Sequence, residues 1–412
     1  MTGRHPTPSD RSARGRIVVT TGGTGGHVFP ARALAAELIQ RGWTVDFATD
    51  ARGVAHVRMP EGVTVHALPA GGVSGMGLAR RVRGAVDLLR GVARARGLLR
   101  RLAPAAVIGF GSYAALPATL AAMLLKLPVA IHEQNAVLGR ANRLLGRRAR
   151  LLALTVADTR AVPAGAAGRV RITGNPVRAE IAEIGAAGFV VPAVTGRFVL
   201  LSTGGSQGAR FLGTVLPQAA AMLPAALKAR MHLVMQVRPE DMTAARAALD
   251  GQGFAAVDLA SFFTDMPDRL AAAHLVVARS GASTVAELSA AGRPSLLVPL
   301  PGAIDDHQTA NARALVDAGA AVALAQAEAS PERLAAEIAA LADDPARLGR
   351  MALAARGVAR TDAAARLADL VEALAAGRPL GADLPAEGTA TLSVNKSPEH
   401  HERRLPGREE IA

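Results

Sequence analysis

Apolar positions along this chain fall into two alternating kinds of stretch. Short runs rich in Val, Ile and Leu are followed by longer Ala/Leu-rich segments with helical spacing. In the first half the runs are "RIVVT" (16–20), "TVDFAT" (44–49), "VTVHAL" (63–68), "AAVIGF" (105–110), "PVAIHE" (128–133) and "LLALT" (151–155). The second half restarts with "RFVLLSTGG" (197–205) and continues through "MHLVMQV" (231–237), "AVDLASF" (256–262), "HLVVARS" (274–280) and "SLLVPLP" (295–301). Alternation of this kind predicts parallel sheets with helices on both faces. Each half opens with a strand running into a glycine-rich loop, so the pattern predicts an α/β protein of two doubly wound domains. The linker is expected near 179–196 and a last helix over about 361–376.

Two segments stand outside the pattern. Residues 1–15 are polar and lack the apolar core of a secretory signal, and 377–412 are Pro/Gly-rich without periodicity; both are expected to be disordered. The stretch "AAVIGFGSYAALPATLAAMLL" (105–125) has the length of a membrane span. Gly109, Gly111, Ser112 and Pro117 interrupt it, which predicts strand, glycine loop and helix instead.

At 412 residues the chain has room for two domains, each with its own core. The net charge of +13 is carried almost wholly by Arg, since Lys occurs only at 126, 228 and 396. That balance suits a polyanionic partner: a phosphate-bearing ligand, nucleic acid or an anionic membrane face. Aromatics make up only 3%, which argues against a stacking platform for nucleic acid. The absence of cysteine removes disulfides and thiolate metal sites, and is compatible with a cytoplasmic protein.

Chemistry concentrates in the loops. "TGGTGGH" (21–27) combines glycines that let backbone N–H groups approach a ligand with a helix start that favours negative charge. It is not the dinucleotide fingerprint G-x-G-x-x-G, because Val28 stands where the last glycine should be; Asp46 or Asp50 could still serve as a ribose-binding acid. His27, at the helix start, suits a general base, a capping group or a ligand-positioning group. "STGGSQGARFL" (202–212) repeats the logic in the second half, with Ser206 and Gln207 as phosphate donors. In "ARSGASTVAEL" (278–288), Thr284 and Glu287 fit a capping box; alternatively the helix start faces a nucleotide and Glu287 accepts from ribose hydroxyls. The loop with Asp305, Asp306, His307, Gln308 and Asn311 reads as a sugar contact rather than a metal site. His132, Glu133, Gln134 and Asn135 crowd the end of a buried strand, where open α/β sheets bind ligands.

The segment 75–102 carries eight Arg against one Asp. Val82, Ala85, Val86, Leu89, Val92 and Ala93 share one helical face, and Arg80, Arg83, Arg90 and Arg94 another. A solvated basic face or a surface for anionic lipid both fit; four or five Arg at a bilayer contribute roughly 4–5 kcal/mol.

Seven motifs, "GGTGGHVFPA", "GFGSYAALPA", "HEQNAVLGRANR", "GNPVR", "GGSQGAR", "RSGASTVAEL" and "DDHQTANA", occur in the order and spacing of the MurG family. The chain resembles these peptidoglycan N-acetylglucosaminyltransferases from about residue 16 to about 375. The resemblance implies a GT-B fold, with two Rossmann-like domains and an interdomain cleft. The implied division is an acceptor and membrane-docking domain (16–178), a domain for UDP-N-acetylglucosamine (179–350) and a C-terminal segment returning to the first domain (351–376). The implied reaction is inverting transfer of N-acetylglucosamine to the 4-hydroxyl of the muramoyl sugar of lipid I, undecaprenyl-pyrophosphoryl-muramoyl-pentapeptide. It would take place at the cytoplasmic face of the plasma (inner) membrane.

Carried over by motif, His27 is the catalytic residue, and Thr24, Gly25 and Gly26 border the donor. Asn135 and Arg178 reach donor groups, Ser206 binds its phosphates and Phe263 contacts uracil. Ala282, Ser283, Thr284, Val285, Ala286 and Glu287 hold phosphate and ribose, and Gln308 reads sugar hydroxyls. Gly111, Ser112, Tyr113, His132 and Glu133 fall on the acceptor side. No cofactor is required and no metal ligand is implied, with room for stimulation by a divalent cation; no nucleic-acid partner is expected. Ser112 departs from the family, where a glycine is usual, and is costly if that backbone needs positive φ. "FFTDM" (262–266) departs as well, at the uracil contact. The alternative within the fold is a glycosyltransferase acting on another membrane lipid. A dehydrogenase lacks its fingerprint, and a nucleic-acid binder lacks its aromatics.

Overall fold

The computed structural model describes residues 14–22, 25–51, 59–70, 78–205 and 208–381. The first half is a seven-stranded parallel sheet, ordered β3-β2-β1-β4-β5-β6-β7, and the second a six-stranded parallel sheet, ordered β10-β9-β8-β11-β12-β13. In the first, β1 (Arg16–Thr20) lies between β2 (Thr44–Thr49) and β4 (Ala106–Gly109), with β3 (Thr64–Ala67) at one edge. Strands β5 (Val129–Glu133), β6 (Leu151–Leu154) and β7 (Val170–Ile172) complete it. In the second, β8 (Phe198–Thr203) lies between β9 (Met231–Gln236) and β11 (Leu275–Ala278). Its remaining strands are β10 (Ala256–Ala260), β12 (Ser295–Leu297) and β13 (Ala321–Ala323). The central strands are covered on both faces, which is why they read as unbroken apolar runs instead of alternating ones.

The helices that position the site are α1 (Gly25–Gln40), α2 (Leu78–Leu102), α3 (Leu116–Leu124), α4 (Arg140–Gly146), α5 (Ala179–Ala187), α6 (Arg210–Ala221), α7 (Met266–Ala272), α8 (Ala282–Ala291), α9 (His307–Asp317) and α10 (Ala363–Ala375). The last of these packs on α1 and the first sheet. Its Leu367, Ala368, Leu370, Val371 and Leu374 share a core with Ile17, Leu34 and Phe47. Trp43 Nε1 donates to Glu372 Oε1 at 2.7 Å and fastens the contact. Buried aliphatic side chains of this size contribute about 1.5–3 kcal/mol each, so the returning helix is an integral part of the first half's core.

Three expectations are corrected. The stretch 179–196, read as linker, begins with α5, whose Ile181 is fully buried and which packs against α8. Strands β7 and β13 were not expected; three-residue strands are too short to show a period. The apolar face expected to bury α2 is turned outward: Ala85, Val86, Leu89 and Ala93 are exposed. The buried face is Gly84, Gly91, Ala95 and Leu98, and small residues there let α2 lie close to the chain at Pro69 and Pro117. The α2 side chains of residues 78–82 lie outside the described residues, Arg80 and Val82 included, as do 1–13 and 382–412 of the segments 1–15 and 377–412 expected to be disordered. The parts of those segments that are described are anchored: Arg14 N donates to Gly42 O, and Leu380 O accepts from Arg171.

Candidate active site

In each half the strand order reverses beside the first strand, between β1 and β4 and between β8 and β11. Loops leaving neighbouring strands in opposite directions open a crevice at their carboxyl ends, where such sheets take ligands. The loops after β1 and β4 meet there. A Cβ on Gly22 would lie 2.1 Å from Ser112 Oγ, so only glycine fits at 22. Gly111 and Ser112 both have positive φ, +76° and +71°. For Ser112 that conformation is the costly one anticipated from the sequence. Its Oγ accepts from Ala114 N at 3.1 Å, a local bond that offsets part of the strain.

A cleft of about 480 Å³ opens between the halves. One wall carries Gly26 and His27 from the start of α1, Ser112 and Tyr113 from the loop after β4, and Glu133, Gln134 and Asn135 from the end of β5. Gly281 and Ala282 at the start of α8, with Ile304, Asp305 and His307, form the other. His27 Nδ1 lies 2.7 Å from Gln134 Oε1, and Gln134 Nε2 lies 3.0 Å from His132 Nδ1. His132 Nε2 is in turn 3.0 Å from Gly174 O. The His132 ring is fully buried, and desolvation pushes its pKa down to about 4, against smaller opposing effects of Gly174 O and Glu133. His132, expected on the acceptor side, thus sits beneath that surface and reaches it only through Gln134. Glu133 is likewise turned inward: its carboxylate accepts from Asn135 N and Nδ2, Gly139 N and Asn142 Nδ2, and shapes the loop leading into α4.

The second half supplies the start of α8. Gly281, with extended backbone, is its N-cap, so Thr284 stands within the first turn and the capping-box reading of Thr284 and Glu287 does not hold. Glu287 Oε1 accepts from Arg178 Nε at 3.1 Å and Nη2 at 2.9 Å, and the Arg178 guanidinium lies over the Phe29 ring of α1. Desolvation raises the Glu287 pKa and Arg178 opposes the rise. The halves are joined directly at several points. Ser283 Oγ donates to Gly26 O at 3.0 Å. Asn311, from α9, accepts from Ala136 N at 2.8 Å and donates to Asn135 Oδ1 at 3.1 Å and Ser280 O at 3.2 Å. Arg143 pairs with Asp305 across the same boundary.

The structure therefore brings together Gly26, His27, Gly111, Ser112, Tyr113, Glu133, Asn135 and Ala282 around one cleft, with Gly25 and Ser283 beside it. Thr24 and Ser206 lie outside the described residues. Thr284, Val285 and Ala286 continue the first turns of α8. Gln308 stands at the start of α9, where its Oε1 accepts from Leu300 N. Phe263 does not line the cleft; it is buried under Arg269, whose guanidinium lies 4.1 Å from its ring centroid, beside a separate cavity of about 620 Å³. Asp46, considered as a ribose acid, is held by Arg16 and His66. Among the described residues no group of three or more His, Asp or Glu could hold a metal ion; Asp306 accepts from Thr309 Oγ1 instead. Sequence reasoning named Gln134 and Asn311 only as members of polar clusters. Their partners are distant in the chain, and no local pattern announces such bonds.

Comparison with known proteins agrees with this layout. The glycosyltransferase family 28 N-terminal domain matches residues 17–153 and the family 28 C-terminal domain residues 199–367. A protein of Rhodospirillum rubrum, described as UDP-N-acetylglucosamine--N-acetylmuramyl-(pentapeptide) pyrophosphoryl-undecaprenol N-acetylglucosamine transferase, is 50% identical over 359 residues. The match covers 87% of this chain and 92% of that one. Its namesake in Paramagnetospirillum magneticum is 49% identical over 358 residues, covering 87% and 96%. Among solved structures, MurG of Acinetobacter baumannii matches with a TM-score of 0.68 and 30% identity, over 87% of this chain and 99% of that one. MnaA of S. aureus with UDP matches at 12% identity and a TM-score of 0.62, over 89% and 99%, a likeness of fold alone.

Proposed function

The chain belongs to glycosyltransferase family 28, among the MurG transferases, and we propose on that basis the following reaction and division of labour. It transfers N-acetylglucosamine from UDP-N-acetylglucosamine to the 4-hydroxyl of the muramoyl sugar of lipid I, with inversion, and so forms lipid II for peptidoglycan synthesis. The observation that carries the reading is the cleft itself, with His27 on one wall and the N-terminus of α8 on the other. A single displacement needs a base on one side of the anomeric carbon and a cradle for the leaving group on the opposite side. His27 takes the proton of the attacking hydroxyl as the new C1–O4 bond forms. The C1–O bond to the pyrophosphate breaks, and UDP departs towards backbone N–H groups at the start of α8 and in the loop after β8, with Ser206. No cofactor enters the step.

Around that axis, Thr24, Gly25 and Gly26 border the donor sugar, and Asn135 and Gln308 reach its hydroxyls. Ala282 to Ala286 face the phosphates and ribose, and Glu287 accepts from the ribose hydroxyls once Arg178 yields to the nucleotide. Gly111, Ser112 and Tyr113 form the acceptor wall. Lipid I brings the membrane with it, and α2 suits that surface. Its exposed Val86 and Leu89 are flanked by exposed Arg83, Arg90 and Arg94. Three such Arg contribute about 3 kcal/mol at an anionic bilayer, which supports reversible peripheral docking on the cytoplasmic face. No helix among the described residues is long and apolar enough to cross a membrane.

The test is transfer of labelled N-acetylglucosamine to a short-chain lipid I analogue by the wild type and by His27→Ala. Product from the wild type, with turnover lowered about 100-fold or more in the variant and UDP binding retained, is the expected result. A wild type that binds UDP-N-acetylglucosamine but leaves lipid I untouched would overturn the acceptor assignment.

A further inference from the structure

We infer that Gln134 is a positioning residue that sets the tautomer of His27: its side-chain amide, itself oriented by the buried His132 ring, holds the His27 proton on Nδ1 and leaves Nε2 bare for the acceptor hydroxyl. The inference rests on the base role given to His27 above and adds the means by which that role is secured.

The bonds form a relay that runs outward from the core. Gly174 O can only accept, so the His132 Nε2 that meets it at 3.0 Å carries a proton. A fully buried ring is neutral at physiological pH, so His132 Nδ1 is left with a lone pair and can only accept. The Gln134 group 3.0 Å from that lone pair must then be its NH2, which donates to His132 O as well, at 3.1 Å. Two partners that can only accept, the His132 Nδ1 set by the Gly174 carbonyl and the His132 carbonyl itself, thus fix the order of O and N in the amide. Gln134 is left with its Oε1 turned to His27, 2.7 Å from Nδ1, and this oxygen can only accept. His27 Nδ1 must therefore be protonated, and the neutral imidazole presents an unprotonated Nε2.

The wrong tautomer would point an N–H at the reacting hydroxyl and remove the base, a fault that costs serine hydrolases orders of magnitude in rate. In those enzymes a carboxylate holds the histidine. Here the group is a neutral amide, which fixes orientation without adding a formal negative charge beside the ring. When Nε2 takes the proton, Gln134 Oε1 still accepts from Nδ1 and stabilises the imidazolium. The bond pattern does not change during the reaction, so no reorganisation is needed at the moment of transfer.

The test has two readouts. Nitrogen NMR of the unliganded wild type, with histidine labelled with nitrogen-15, distinguishes a protonated from a bare ring nitrogen; the expected result at neutral pH is His27 with Nδ1–H and bare Nε2. The opposite tautomer would overturn the inference without any variant having to fold. Kinetics supply the second. Gln134→Ala is expected to lower kcat about 10- to 100-fold with KM for UDP-N-acetylglucosamine within about threefold, and to give mixed His27 tautomers. His132→Asn, whose Oδ1 can stand where Nδ1 stood and whose backbone carbonyl still accepts from Gln134 Nε2, is expected to keep the wild-type tautomer and a kcat within about fivefold. An unchanged kcat in Gln134→Ala, or a loss in His132→Asn as large as in Gln134→Ala, would each overturn it. The tautomer is read without an acceptor, so a wild type with the expected tautomer that fails to glycosylate lipid I would count against the reaction and for the relay.

Discussion

At the residue scale, the cleft depends on side chains held in states that solvent would not favour. Ser112 keeps a positive φ that a glycine would adopt freely, and Gly22 leaves room for its hydroxyl. His132 is neutral because burial makes its charged form costly. That has a consequence for stability. In the unfolded chain this histidine titrates near 6.5, and in the fold near 4. Between those values the unfolded state binds a proton that the native state does not, so native stability declines as pH falls through this window and the loss levels off below it. A shift of this size corresponds to about 3 kcal/mol. Denaturant unfolding at about pH 7 and about pH 4 should therefore show a smaller acid loss in His132→Asn than in the wild type, by a difference of that order. Equal losses in the two proteins would mean that the His132 ring is solvated or charged in the fold.

At the element scale, close approach decides more than hydrophobic pattern does. Helix α2 packs through a stripe of small residues, and its larger apolar ones face outward. A Cβ on Gly91 would lie 2.2 Å from Pro69 O and 3.1 Å from the Pro117 ring. Gly91→Ala would improve helix propensity by up to about 1 kcal/mol, but overpacking of this kind costs about 1–3 kcal/mol. A backbone oxygen that cannot rotate away places the clash at the upper end, so a net loss of about 1–2 kcal/mol in denaturant unfolding is expected. A variant as stable as the wild type would show that α2 lies further from Pro69 than described. The outward turn of Leu89, 69% exposed among arginines, follows from the same close packing.

At the scale of the whole molecule, two cores meet at a polar seam, and the last helix, α10, belongs to the first core although the second precedes it in the chain. Asn311 and Ser283 reach from the second half to the loops that carry Asn135 and His27, so the two walls of the cleft are in register. The docking proposed for α2 is also a property of the whole particle, since its exposed strip would have to face the bilayer while the cleft receives lipid I. Leu89→Glu removes an inserting side chain and adds a repelled charge, and should weaken binding to anionic vesicles about 10- to 100-fold. Turnover of a water-soluble acceptor in detergent should stay near the wild-type value, because Leu89 points outward and does not line the cleft. Vesicle binding as strong as that of the wild type would remove α2 from the docking surface.

Much of this was legible from the chain alone. Unbroken apolar runs marked the central strands because strands covered on both faces need no alternation, and glycines after β1 and β8 marked where those strands give way to loops. His27 stood out because it follows such a loop at a helix start. The three-residue edge strands, the helix in the presumed linker and the buried face of α2 were not legible, since each is decided by what packs against it. The same holds for Glu287, which could cap its helix or accept from ribose hydroxyls on the sequence alone, and which the fold brings to Arg178. Gln134 is the clearest case: its type and place after β5 are local facts, but the His27 ring that its Oε1 meets comes from the start of α1, 107 residues away in the chain. Periodicity and glycine placement are written in neighbouring residues, and so the sequence by itself determined the central strands and the glycine loops that follow them. Hydrogen-bond direction and the face a helix buries depend on partners far away in the chain, and only the tertiary structure decided them.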